Sequence, residues 1–154
     1  MTRVWRIVAR RHARRAYSGE GARLYGGRWN APGVAVVYTA GSLSLAALEL
    51  FVHLDPEELP EDLVSVAAAI PDDVAIERLH PAALPRHWRQ FPAPEAVQKI
   101  GTAWAASGRT AVLAVPSAVI PEETNYLLNP AHPQFAAVRM DAPKPFRFDA
   151  RMGK

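Results

Sequence analysis

Glu49 stands in a stretch from Leu43 to Leu54 in which nine of twelve residues are hydrophobic. A carboxylate there is costly to bury unless something compensates its charge. The sequence offers two compensations, Arg28 or a cationic atom of a ligand, and the second would make the run from Arg23 to Glu49 a site. Buried alone, a carboxylate has its pKa raised; beside a guanidinium it stays ionised. On spacing alone, a structural Arg28–Glu49 pair accounts for the residue as well as catalysis does. His53 lies one turn beyond Glu49 and shares its helix face. No further cluster of ligand residues joins that pair, so a metal centre is not expected.

Arg28-Trp29-Asn30 follows Gly26-Gly27, where the backbone can come close to a ligand or to another segment. An arginine there can fork onto a carboxylate or a phosphate with paired donors. Tyr38 supplies a flat ring and a hydroxyl at the end of the next apolar run, although tyrosine in a strand commonly serves packing alone. Ser117 follows Pro116 and reads as a turn residue by itself; no Gly-x-Ser-x-Gly elbow makes it an acyl-transfer nucleophile. Asn125 and Asn129 fit a site wall or a loop cap equally well. No Gly-x-Gly-x-x-Gly follows a strand, which excludes a Rossmann-type dinucleotide site.

Several elements must position these residues. Residues 3–9 alternate as a strand, followed by a basic loop or short helix to Ala16 and a glycine-marked loop from Gly19 to Gly27. Val34–Thr39 predicts a central strand. Leu43–Leu54 predicts a helix capped by Ser42 or Ser44 and, being apolar on most sides, largely buried. Asp55–Asp62 carries five acids and two prolines and predicts an exposed loop. Leu63–Ile70 and Val74–Leu79 read as strands joined by a turn at Pro71-Asp72-Asp73. A proline-rich connector, Pro81–Pro94, leads to a helix from Glu95 to Ser107 that stops at Gly108. Ala111–Val115 is a further strand. Beyond Pro116 the prolines allow only short strands, near Phe135–Met140 and Phe146–Phe148. The order of elements is mixed α and β.

The 154 residues suit one domain, 1–154, with 49% hydrophobic and 21% charged residues. The absence of cysteine excludes disulfides, thiolate metal sites and cysteine nucleophiles. No apolar run approaches the ~20 residues that span a bilayer, so no membrane association is expected and a cytoplasmic location is. The net charge of +3 divides into +7 over the first thirty residues and −4 over the rest. Arg10, Arg11, Arg14 and Arg15 read as a solvated surface or a protein contact. Nucleic-acid binding is not expected, because no aromatic residues are interleaved with those arginines as a stacking platform.

Taken in order, GARLYGGRWN, VAVVYTA, ALELFVH, VPSAVIPEETNYLLNP and HPQF resemble the RES domain family, over residues 3 to 148. The resemblance implies an α+β fold, a mixed and mainly antiparallel β core with flanking helices, similar to the ADP-ribosyltransferases related to diphtheria toxin. It implies a toxin of a bacterial toxin–antitoxin pair with an Xre-type helix-turn-helix antitoxin as partner, and leaves homo- or hetero-oligomeric assembly open. It implies NAD as a consumed substrate, with no cofactor, cleaved at the nicotinamide–ribose bond by hydrolysis or phosphorolysis. The alternative is mono-ADP-ribosylation of a cellular protein. Carried over by motif, the site residues are Arg28, Tyr38, Glu49 and Ser117. Glu49 would stabilise an oxocarbenium-like ribose. Arg28 would clamp the substrate and pair with Glu49 in its absence, Tyr38 would stack on nicotinamide, and Ser117 would bind the ligand or orient Glu49. Arg6, in the first strand, is a second candidate phosphate ligand.

Overall fold

A computed structural model describes residues 1–154. In chain order the elements are β1 (Thr2–Ala9), α1 (Glu20–Tyr25), β2 (Val37–Ala40), α2 (Leu43–Phe51), β3 (Leu63–Ile70), β4 (Ile76–Arg78), α3 (Glu95–Ser107), β5 (Val112–Pro116), β6 (Thr124–Leu128), β7 (Arg139–Met140) and β8 (Lys144–Phe146). Short 3₁₀ turns cover Arg10–Arg15, Pro81–Ala83, Pro133–Ala137 and Ala150–Met152. The eight strands form one sheet in the order β4-β5-β6-β2-β1-β3-β7, and β8 pairs with β3 beside β7. Every pairing is antiparallel except β4 with β5. This is the α+β class expected, built on a curled, mainly antiparallel sheet. No helix is long and apolar enough to cross a membrane.

Two ladders carry most of the sheet. β1 and β3 pair over their full lengths, from Thr2 opposite Ile70 to Ala9 opposite Leu63. β2, β6 and β5 form the other block, with Val37 opposite Leu128 and Leu128 opposite Val112. The blocks meet at a seam where β1 and β2 share a single pair, Trp5 with Ala40. Alternation along the strands sends Val4, Val37, Val64, Val66, Val112 and Leu128 into one core inside the curl. The opposite face of β2, β5 and β6 sends Leu113, Val115 and Leu127 toward α3 and the tryptophans 29, 88 and 104.

Helix α3 runs from Pro94 to Gly108, which adopts φ +64° and ends it in the left-handed conformation that glycine tolerates best. Its buried residues, Val97, Gly101 and Trp104, recur at i, i+4 and i+7 and form one stripe. Gly101 is required there: a Cβ would lie 1.8 Å from the carbonyl oxygen of Trp29. The helix thus packs directly on the backbone of the Arg28-Trp29-Asn30 loop.

Four expectations are corrected. Val74–Leu79 is not the hairpin partner of β3; β4 lies at the far edge, parallel to β5, with Ile76 opposite Val112. The places beside β3 are already filled by β1, β7 and β8. The helix containing Glu49 ends at Phe51, and Leu45 alone is fully buried on it. Leu48 and Val52 are 39% and 56% exposed, because α2 covers the β1–β2 side and no second layer lies over it. The glycine-marked loop contains α1, whose first turn includes Gly21 and therefore scores poorly as a helix. The prolines after Pro116 do not prevent a five-residue strand, β6, in the centre of the sheet.

Candidate functional site

Ser42 caps α2, its Oγ accepting the Leu45 amide at 3.1 Å, which fixes where the helix starts and hence where Glu49 falls. The Glu49 carboxylate is half-buried and accepts two hydrogen bonds. Ser117 Oγ donates to Oε2 at 2.8 Å, and Asn125 Nδ2 donates to Oε1 at 2.8 Å. Burial pushes its pKa above the ordinary value, opposed by the bonds from Ser117 and Asn125 and by nearby His53. Ser117, with no exposed surface, has its own hydroxyl oriented by the amides of Val119 and Ile120, which donate to Oγ at 3.1 and 3.2 Å. Asn125 also donates to the Thr39 carbonyl at 3.2 Å, tying the carboxylate to β2.

Arg28 does not pair with Glu49. Its Nη1 donates to the carbonyls of Trp88 and Gln90, at 2.7 and 2.9 Å, and no carboxylate lies within ion-pair distance. Half-burial lowers its pKa, with Tyr38 acting the other way. The correction has a local cause. Gly26 at φ +74° and the paired backbone bonds between Gly27 and Asn30 turn this loop back on itself, toward the connector before α3. Trp29 then plugs the second core and Asn30, fully buried, donates to the carbonyls of Ala22, Ala31 and Val34.

Tyr38 faces this loop, and its hydroxyl is committed to it, accepting from the Trp29 amide at 2.9 Å and donating to Asn30 Oδ1 at 2.6 Å. Burial raises its pKa far above the usual phenol value. Gly27 must be glycine, since a Cβ would stand 2.6 Å from that hydroxyl. Arg6 bridges the seam, Nη1 donating to the Tyr38 carbonyl at 2.7 Å, while its buried Nε has no partner. Burial lowers its pKa. A cavity of about 330 Å³ opens beside it, lined by His12, Arg15, Ser18 and Glu20 among others.

The structure therefore brings Glu49 and Ser117 together, sets Tyr38 one residue from Thr39 in the same network, and links Arg6 to Tyr38 through its backbone. Asn125 is the residue whose part the sequence left open: its register opposite Ala40, on a strand that was not foreseen, aims it at α2. Arg89, whose guanidinium donates to the carbonyls of Ala118 and Val119 beside Ser117, carried no signal in the sequence.

The fold matches a chain of the M. tuberculosis MbcT–MbcA toxin–antitoxin complex with a TM-score of 0.74, at 20% identity, covering 94% of this chain and 83% of that one. The RES domain profile matches residues 3–149, and the chain belongs to the RES domain family. It is 43% identical over 155 residues to the "Prs ADP-ribosylating toxin" of Sphingobium sp. (strain YBL2), covering 98% of this chain and 96% of the relative. It is 40% identical over 150 residues to a protein named "Toxin Res" from Yersinia enterocolitica, covering 97% and 98%. The chain is a toxin of the RES type.

Proposed function

We propose that this protein is the toxin of a toxin–antitoxin pair that acts in the cytoplasm by cleaving the nicotinamide–ribose bond of NAD. One observation carries the reading: Glu49 makes no ion pair within the protein, and its oxygens are held by neutral donors. Ser117 and Asn125 orient its two oxygens, His53 acts on the charge without forming an ion pair, and burial makes that charge costly. A substrate that develops positive charge at this position is stabilised by it. As the bond from C1′ to the nicotinamide nitrogen breaks, its electron pair leaves with the neutral ring and the ribose becomes oxocarbenium-like. The fixed carboxylate then supplies the countercharge in a preorganised setting. A lone pair on the acceptor oxygen, of water or of a phosphate anion, forms the new bond to C1′, and an attacking water passes its proton to solvent.

Tyr38 offers its ring rather than its hydroxyl, which the loop already engages. Arg28 contributes only Nη1 to the connector, so its other donors are free to meet a phosphate, and Arg6, whose buried Nε lacks a partner, is the second candidate. The printed name of the Sphingobium relative favours a second reading, transfer of ADP-ribose to a protein. The MbcT–MbcA complex supports an antitoxin partner, which we take to be an Xre-type helix-turn-helix protein.

Incubation with NAD tests the reading. Free nicotinamide should appear with wild-type protein and should be lost in Glu49→Ala of unchanged fold. Retained release in that variant removes Glu49 from the reaction. With labelled NAD, label on a protein band selects transfer, and free ADP-ribose or its phosphate selects hydrolysis or phosphorolysis.

A further inference from the structure

The connector between β4 and α3 is held from both sides. Trp88 is buried in the second core, and Arg28 Nη1 grips the carbonyls on either side of Arg89. Arg89 itself turns the other way: Nε donates to the Ala118 carbonyl at 2.9 Å and Nη2 to that of Val119 at 3.4 Å. Those two residues follow Ser117 directly, and their turn presents the amides of Val119 and Ile120 to Ser117 Oγ. One face of the turn therefore holds the hydroxyl that orients Glu49, and the other is held by Arg89. Phe91 is 75% exposed, yet its ring lies 5.5 Å from that of His53, in the turn just after α2.

We propose that residues 88–91 form a strap across the site, and that Arg89 is a positioning residue, fixing the 117–120 turn so that Ser117 holds the Glu49 carboxylate in place. The strap touches the site on two sides, at the Ser117 turn through Arg89 and at the turn after α2 through Phe91. An exposed arginine binding two carbonyls contributes little to global stability, so its effect is local. A lysine keeps the charge and can reach a carbonyl, but without the planar fork that spans two. As a statement about catalysis this rests on the NAD-cleaving reading; as a statement about geometry it does not.

The test compares Arg89→Ala and Arg89→Lys with wild type in two assays. The first follows the Glu49 carboxyl by ¹³C NMR as pH is varied, without NAD. The groups acting on that carboxylate are His53 from the turn after its helix, Ser117 from the 117–120 turn and Asn125 from β6. The second measures kcat and KM for nicotinamide release. In Arg89→Ala the Glu49 titration should move to higher pH, as its bond from Ser117 loosens. There kcat should fall about tenfold or more, the scale expected for a misplaced catalytic group, with KM unchanged. Arg89→Lys should recover part of both. A Glu49 titration in Arg89→Ala that coincides with wild type overturns the proposal, whatever the melting temperature does. If wild-type protein releases no nicotinamide, the NAD reading fails, while the titration still decides the role of Arg89.

Discussion

Replacing Ser117 by alanine removes one oxygen from a fully buried position, and the consequences can be worked from the geometry. The hydroxyl donates to a carboxylate at 2.8 Å, and a hydrogen bond to a charged group contributes about 1.5–3 kcal/mol. Two details set the cost within that range. Asn125 still holds Oε1, so the carboxylate keeps one donor. The amides of Val119 and Ile120 lose their acceptor, but both residues are half-buried and water can reach them. We expect a loss of about 2 kcal/mol, which for a chain of this size lowers the melting temperature by about 4–8 °C. The sign for Glu49 follows from the same bond. Burial raises its pKa and Ser117 lowers it, so the variant should titrate at higher pH than wild type. The acid limb of nicotinamide release should move upward with it, and kcat should fall about tenfold to a hundredfold. Calorimetry, ¹³C titration and a pH–rate profile read the three effects. A variant that melts with wild type and titrates at the wild-type pH would show that Ser117 does not hold Glu49, and the reasoning would be refuted.

Glu49→Gln should change how stability depends on pH. The folded pKa of Glu49 lies above its ordinary value of 4.5, so the native state binds more protons there and stability falls as pH rises through that window. The amide lacks this titration, so the stability of the variant minus that of wild type should grow from below pH 4.5 toward neutrality; a pH-independent difference contradicts it. Gly101→Ala should be severely destabilised, by about 3 kcal/mol or more, because its Cβ meets the Trp29 carbonyl oxygen; near-wild-type denaturant unfolding would contradict the packing of α3. Arg28→Ala should free the connector, so limited proteolysis within residues 81–94 should accelerate, with partial recovery in Arg28→Lys, because both bonds come from the single nitrogen Nη1 and an ammonium also carries donors for two carbonyls. Cleavage at the wild-type rate would show that Arg28 does not hold it.

The elements that announce themselves in the sequence are those whose signals are local. α3 was legible in its bounds, since Pro94 and Gly108 mark its ends. β1 was legible from its alternation, and β3 as an apolar run closed by the Pro71-Asp72-Asp73 turn. β4 was expected as a strand but not in its place, because a strand's partner is decided by which edges are already occupied. β6 was hidden among prolines, and its pairing with β2 and β5 outweighs its weak local preference. Within the site, Glu49 and Ser117 were paired through a family resemblance, and their hydrogen bond spans 68 residues of sequence. The Arg28–Glu49 pair was the natural guess from charge alone. It fails because the guanidinium is captured by backbone carbonyls, and carbonyls leave no mark on a sequence. Arg89 escaped for the same reason.

The single-pair joint between β1 and β2 has a consequence for how the molecule yields to force. Elsewhere the sheet is laced by ladders of several pairs, whereas here Trp5 opposite Ala40, the Arg6 guanidinium on the Tyr38 carbonyl, and α2 lying along both strands hold the two blocks together. Local openings occur where backbone bonds are few, so a crack in this protein starts beside Arg6 and Tyr38. Amide exchange should be fastest there relative to burial, well before the β1–β3 ladder gives way. Whatever lodges between those strands works as a wedge at the weakest line of the sheet, and whatever clamps α2 acts as a splint across it.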